Sequence, residues 1–257
     1  MFARLSLIAL LVISTMSTLS AADNRDRFQA RTYTDSAGEK LNYRLLKPKD
    51  YDPNRKYPLV LFLHGAGERG DNNQAQLVHG MNDFASDEIM SKYPAFVLAP
   101  QCPNNAKWVE VDWSAKKHTA PEKPSRALRL TLETIEKLQK EFSIDNKRLY
   151  VTGLSMGGYG TWDAAERMPD FWAAAAPICG GGDVENGKKL AKLPIWAFHG
   201  DKDGAVKVER TRDMIAAIKE AGGEPKYTEY PGVGHDSWSA TYRNPEFYAW
   251  LFAQARK

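Results

Sequence analysis

The chain is short of the features that mark several protein classes. Its formal net charge is only +3, and its lysines and arginines fall in scattered pairs such as Lys116-Lys117 and Lys188-Lys189. No basic stripe runs along it, which excludes a nucleic-acid-binding face. No Gly-Lys-Ser or Gly-Lys-Thr closes a glycine-rich loop, so a phosphate-binding reading is set aside. There is no internal repeat and no low-complexity linker, and one domain is the simplest count for 257 residues. Cysteine is scarce, with only Cys102 and Cys179. The apolar run Leu5 to Ile13 is too short to span a bilayer comfortably.

That run has a different meaning. Arg4 precedes it, hydroxyl-rich residues follow it, and Ser20-Ala21-Ala22 offers a small-residue cleavage site. Residues 1–22 therefore read as a secretory signal peptide, and residues 23–257 as a single mature domain. The expectation is a secreted or periplasmic protein with no stable membrane insertion after cleavage.

The mature chain alternates strand and helix signals. Phe28 to Tyr33 and Leu41 to Leu46 alternate apolar and polar residues around a turn at Ser36-Ala37-Gly38, which predicts an antiparallel hairpin. Beyond Pro58 the strands change character. Residues 58–63, 95–99, 149–152, 172–177 and 194–198 are short apolar runs suited to strands buried on both faces. Between them, Leu128, Leu132, Ile135, Leu138 and Phe142 form one apolar helical stripe. Residues 206–221 and 245–255 read as further helices. Such alternation predicts a mainly parallel sheet covered by helices on both faces. Both cysteines would follow strands at the same sheet edge with two strands between them. Neighbouring strands lie about 4.8 Å apart, so a disulfide would need the loops to bend together, and the pairing stays open.

In such a sheet, ligands meet the carboxyl ends of the strands. One strand runs into Gly153-Leu154-Ser155-Met156-Gly157 and then a helix, the context of a nucleophile elbow that projects a serine from the sheet. Ser155 is the candidate nucleophile. After Leu63 comes His64-Gly65-Ala66-Gly67-Glu68-Arg69-Gly70, whose glycines let backbone amides turn toward an oxyanion. The Ala66 amide and that of Met156 are the candidate donors. A serine needs a base, and the order serine, acid, histidine selects the last histidine, His235. His64 and His199 sit in strand-His-Gly contexts that brace loops, His79 in an expected helix and His118 in a lysine-rich loop. The acid must lie in His199-Gly200-Asp201-Lys202-Asp203-Gly204, which offers Asp201 and Asp203.

His-Gly-Ala-Gly-Glu-Arg-Gly, Ala-Pro-Gln-Cys-Pro, Gly-Leu-Ser-Met-Gly-Gly-Tyr-Gly-Thr-Trp, Pro-Ile-Cys-Gly-Gly-Gly-Asp and Gly-Val-Gly-His-Asp-Ser-Trp resemble secreted carboxylesterases of the α/β-hydrolase superfamily. The likeness runs from about residue 40 to the end. It points to the branch of phospholipase/carboxylesterases, feruloyl esterases, polyhydroxybutyrate depolymerases and prolyl-oligopeptidase-like hydrolases. It implies a single-domain α/β-hydrolase fold and cleavage of small-molecule or polymer-attached carboxylic esters by a serine triad, without metal or organic cofactor. In relatives with Gly-Asp-x-Asp the second aspartate faces the histidine, which favours Asp203. Here Gly204-Ala205-Val206 stands where many relatives carry an apolar pair and proline.

Only 14 residues separate Cys179 from Pro194, where lidded hydrolases insert a cap, so no lid domain is expected. The irregular stretch 104–123 would wall one side of the cleft. Trp108 within it, Gln101 before it and Trp238 beside His235 are the candidate substrate contacts. Two alternatives accompany the esterase. One is a prolyl-oligopeptidase-like peptidase, for which no propeller is present in the sequence; the other is a catalytically silent binding module, which usually loses a triad residue.

Overall fold

The structure is a computed structural model that describes residues 23–257. The expected signal peptide, residues 1–22, lies outside the described residues. Two strands open the fold, β1 (Gln29–Thr34) and β2 (Lys40–Leu46), paired antiparallel with Gln29 opposite Leu45. Then come β3 (Tyr57–Leu63), helices α1 (Met81–Phe84) and α2 (Asp87–Lys92), β4 (Phe96–Pro100) and helix α3 (Arg126–Glu141). After β5 (Ile144–Leu154) follow α4 (Met156–Arg167), β6 (Ala174–Ile178), β7 (Trp196–Gly200), α5 (Glu209–Glu220), β8 (Lys226–Tyr230), α6 (Trp238–Arg243) and α7 (Pro245–Ala253).

The strands form one eight-stranded sheet in the order β1-β2-β4-β3-β5-β6-β7-β8. From β4 to β8 all pairings are parallel, and β2 joins β4 antiparallel. This is the α/β-hydrolase arrangement that the resemblance implies. Alternation along β3 explains the two cores. Leu59, Leu61 and Leu63 face one layer with Leu128, Ile135, Trp162 and Ile218 from α3, α4 and α5. Val60 and Phe62 face the other, with Phe84, Tyr242 and Phe247 from α1, α6 and α7. Both faces are sealed from water, as parallel strands of this composition require.

Several elements differ from expectation for identifiable reasons. The helix expected from residue 206 starts at Glu209, after a turn in which the Ala205 and Val206 amides donate to Asp203 Oδ1 at 2.8 and 2.9 Å. His79 lies in a bend before α1 and not in a helix. β5 begins at Ile144, five residues earlier than its apolar run, with a register shift against β3. Helix α3 starts where Ser125 Oγ accepts the Leu128 amide at 3.1 Å, a side-chain N-cap. Cys102 and Cys179 are both free and buried, and they follow β4 and β6 with β3 and β5 between.

The site is positioned by backbone contact between β3 and the start of α4. A Cβ on Gly157 would stand 1.8 Å from the Leu63 carbonyl oxygen, and one on Gly153 2.5 Å from the same atom. Only glycine at both positions lets the two segments touch. His64 then ties β3 to β4. Its Nδ1 donates to the Gly65 carbonyl at 2.6 Å and its Nε2 accepts the Cys102 amide at 2.9 Å, so the ring is neutral and braces the loops.

Two outcomes follow from these contacts. Gly157→Ala should lower the urea midpoint, by about 1–3 kcal/mol of stability or more, since the Leu63 carbonyl cannot yield without shifting β3; an unchanged midpoint would contradict it. Burial also pushes the His64 imidazole from 6.5 down to about 4. Between those values the unfolded state binds the proton and the folded state does not, so stability is lost as pH falls from about 6.5 towards about 4. This share is about 3 kcal/mol at its fullest. Urea midpoints measured from pH 7 to pH 4 should therefore decline less steeply in His64→Gln than in the parent, and equal slopes would exclude this contribution.

Candidate active site

At the end of β5 the chain turns sharply into α4, and Ser155 sits on that turn with φ 55° and ψ −118°. Such a backbone is strained for a residue with a Cβ and costs about 1–3 kcal/mol. The surroundings hold it there: the Ser155 amide donates to the Ile178 carbonyl at 3.0 Å, extending the β5–β6 ladder. The strain has a visible result, since the Ser155 side chain leaves the sheet edge instead of turning into either core.

Three side chains from three loops meet at that edge. His235 Nε2 lies 2.9 Å from Ser155 Oγ, and His235 Nδ1 lies 2.7 Å from Asp203 Oδ2. Because a carboxylate only accepts, Nδ1 carries the proton and Nε2 is left to accept from the serine hydroxyl. The Asp203 side chain is fully buried while that of His235 is 29% exposed. Burial alone would push the Asp203 carboxyl up. The hydrogen bonds from His199, His235 and the Val206 and Ala205 amides outweigh it and hold the group well below the usual carboxylate range.

The other candidates are placed as follows. Asp201 is not at His235; its Oδ1 accepts the Gly232 amide at 2.7 Å and ties down the loop that carries His235. Gly65 packs against the nucleophile, a Cβ built on it lying 3.7 Å from Ser155 Cβ, so Ala66 opens its short 3-10 turn beside the serine. Met156 is the first residue of α4. Among the described residues, neither the Ala66 nor the Met156 amide donates to a protein acceptor. The Gly65, Gly67 and Gly70 spacing fits Gly-x-Gly-x-x-Gly, but the segment holds a three-residue 3-10 turn, Ala66–Glu68, and no helix follows it that could hold a pyrophosphate at its N-terminus.

Trp108 and Gln101 differ from the expectation of substrate contact. Trp108 is fully buried, with its indole N–H donating to the His64 carbonyl at 3.0 Å. Gln101 is buried too, its side chain bonded to the Asn73 amide, the Glu68 carbonyl and Asn72. Each braces the loop after β3 and offers no face to a ligand. Trp238 is half-buried and packs edge-on against His235, ring centroids 5.2 Å apart. The stretch 104–123 contributes Val109 and Val111 to a small cluster with Tyr159 and Val206.

Two features escaped the sequence. His199, read as a loop brace, also reaches Asp203 Oδ2, at 3.1 Å. Arg210 is buried with no carboxylate within ion-pair reach among the described residues, and it contacts His118 Nδ1 and the Tyr159 ring. Burial and that guanidinium push the His118 ring down to about 4. Neither contact has a local sequence signal, because the partners are separated by loops whose paths only the fold defines. Among the described residues, Cys179, Asp203 and His235 alone bring His, Cys and carboxylate ligand atoms within 4.8 Å of one another. Two of the three already serve the hydrogen-bond chain to Ser155, and burial pushes the Cys179 thiol up, away from the thiolate a metal needs.

Comparison with known proteins places this geometry. The chain is 26% identical over 77% of its length to an uncharacterized secreted protein of Arthroderma benhamiae, covering 24% of that protein. It is 24% identical over 73% of its length to the bifunctional acetylxylan esterase/xylanase XynS20E of Neocallimastix patriciarum, covering 25% of it. The chain thus spans about a quarter of the length of these two relatives. Among solved structures, a thermostable esterase superposes with TM-score 0.83 at 45% identity, over 90% of this chain and 64% of that one. The model of the dienelactone hydrolase family matches residues 109–246, more than half of the sequence, with Ser155, Asp203 and His235 all inside the match. The chain belongs to the dienelactone hydrolase family.

Proposed function

We propose that the chain is a serine hydrolase of carboxylic esters, with Ser155 as nucleophile, His235 as general base and then acid, and Asp203 as the group that orients His235. The observation that carries this reading is the unbroken hydrogen-bond chain Asp203–His235–Ser155, at 2.7 and 2.9 Å, on a strained elbow. In the reaction His235 Nε2 takes the hydroxyl proton as Ser155 Oγ attacks the ester carbonyl. The Ala66 and Met156 amides donate to the oxyanion, and His235 returns the proton to the leaving alcohol. Water then enters by the same route and releases the acid from the acyl-enzyme. Loss of one oxyanion donor would raise the barrier by about 3–4 kcal/mol.

Among the described residues, the segment between β6 and β7 carries the 3-10 turn Val184–Leu190 and no inserted helical cap. An uncapped cleft suits short-chain esters and acyl groups attached to plant cell-wall polymers, in keeping with the acetylxylan esterase name of XynS20E. The leader-like residues 1–22 support export of the protein, either secreted or to a periplasm. No helix among the described residues is long and apolar enough to cross a membrane.

The test is chemical labelling followed by turnover. A fluorophosphonate should modify Ser155 and no other serine, and Ser155→Ala should lower kcat on short p-nitrophenyl esters by about 10⁴-fold or more. Absence of an adduct on the folded protein would reject the enzyme reading. Faster cleavage of proline-containing peptide amides than of these esters would replace the esterase with a peptidase.

A further inference from the structure

His199 lies at the end of β7 with its side chain fully buried, as is that of Asp203. Its Nε2 stands 3.1 Å from Asp203 Oδ2 and 3.0 Å from the Val206 carbonyl. Both neighbours only accept, so Nε2 carries a proton. The other nitrogen, Nδ1, is 2.8 Å from Thr211 Oγ1, and the same hydroxyl is 2.9 Å from the Gly180 carbonyl. Thr211 has a single hydroxyl proton. If it pointed at Nδ1, two buried oxygens would face each other at 2.9 Å with no proton between them, and among the described residues nothing else donates to the Gly180 carbonyl. Directed to Gly180, it leaves Thr211 Oγ1 to accept from Nδ1, which then carries a proton as well.

A second observation agrees with this count. His199 supplies a donor to Asp203 whether one or both of its ring nitrogens carry a proton, but only the doubly protonated ring also offsets the buried negative charge. In the resting arrangement His235 is neutral, because its Nε2 accepts from Ser155. Within 4.0 Å of the Asp203 carboxylate, the basic side chains among the described residues are those of His199 and His235. A charge on His199 would make the acid and its two imidazoles neutral together.

We propose that His199 is a doubly protonated imidazole that shares Asp203 Oδ2 with His235, neutralising the buried carboxylate and fixing the direction in which it faces the base. This rests on the triad reading above. His199 is a positioning residue, since it reaches the serine only through Asp203 and His235. The carboxylate then has no free lone pair with which to rotate. Oδ1 is held by the Ala205 and Val206 amides, and Oδ2 by the two rings.

The experiment has a structural arm and a kinetic arm. In the ¹⁵N-labelled full protein at neutral pH, the ring assigned to His199 should show protons on both nitrogens, and Thr211→Val should remove the one on Nδ1. His199→Phe, checked for folding by near-ultraviolet circular dichroism and thermal melting, should lower kcat on p-nitrophenyl acetate about ten- to a hundredfold with KM nearly constant. His199→Gln, which keeps an N–H for Oδ2, should recover part of that loss. A His199 ring with one bare nitrogen overturns the proposal, as does a folded His199→Phe variant with the parent's kcat. Should His199→Phe fail to fold, the ring-proton count in the parent and in Thr211→Val decides the matter. A two-proton ring in a protein that turns over no ester would keep the charge assignment while removing the triad reading. An active esterase with a one-proton ring would do the reverse.

Discussion

Everything at the candidate site depends on one backbone contact, the Leu63 carbonyl lodged where side chains at residues 153 and 157 would otherwise stand. It brings the end of β3 against the first turn of α4. The loop that begins at His64 is thereby delivered to the serine, and two segments about 90 residues apart share one edge of the sheet. The strain at Ser155 is local, but what sustains it is spread over β3, β5 and β6. A packed parallel sheet of this kind deforms little, because interiors are filled to crystal-like density.

A second layer of constraint is electrostatic. Buried polar groups gather around the carboxyl ends of the strands, among them His64, Gln101 and Asp183 in the loops, His199 at the end of β7 and Arg210 at the start of α5. Their hydrogen bonds tie the loops around the site to one another. His64 and Trp108 join β3 to the stretch after β4. Asp201 joins β7 to the loop of His235. Polar bracing of this type is demanding, since a buried group that loses its partner costs about 1–3 kcal/mol. It also gives each loop a single direction.

Much of this was legible in the sequence. Apolar runs bounded by proline and glycine located the interior strands, and the order of Ser155, an acid and His235 located the candidate triad, because both signals are local or depend only on chain order. The choice of Asp203 over Asp201 needed a likeness to relatives, since two aspartates two residues apart differ only in how the turn aims them. Trp108 and Gln101 were misread for a related reason: an aromatic or amide beside a cleft has the same composition whether it faces inward or outward. The link from His199 to Asp203 was invisible, because a strand-His-Gly context gives no direction for the ring.

The two cysteines carry a consequence for how the chain reaches this state. Cys102 packs in the core on one side of the sheet and Cys179 in the core on the other, with two strands between them. An unfolded chain passing through an oxidising compartment has both thiols exposed, and their pairing there would staple together two points that the native sheet keeps apart. Such a cross-linked chain would have to be reduced before the native sheet, with its two free and separated thiols, could close. In the folded protein both sulfurs are buried, one in each core, out of reach of each other.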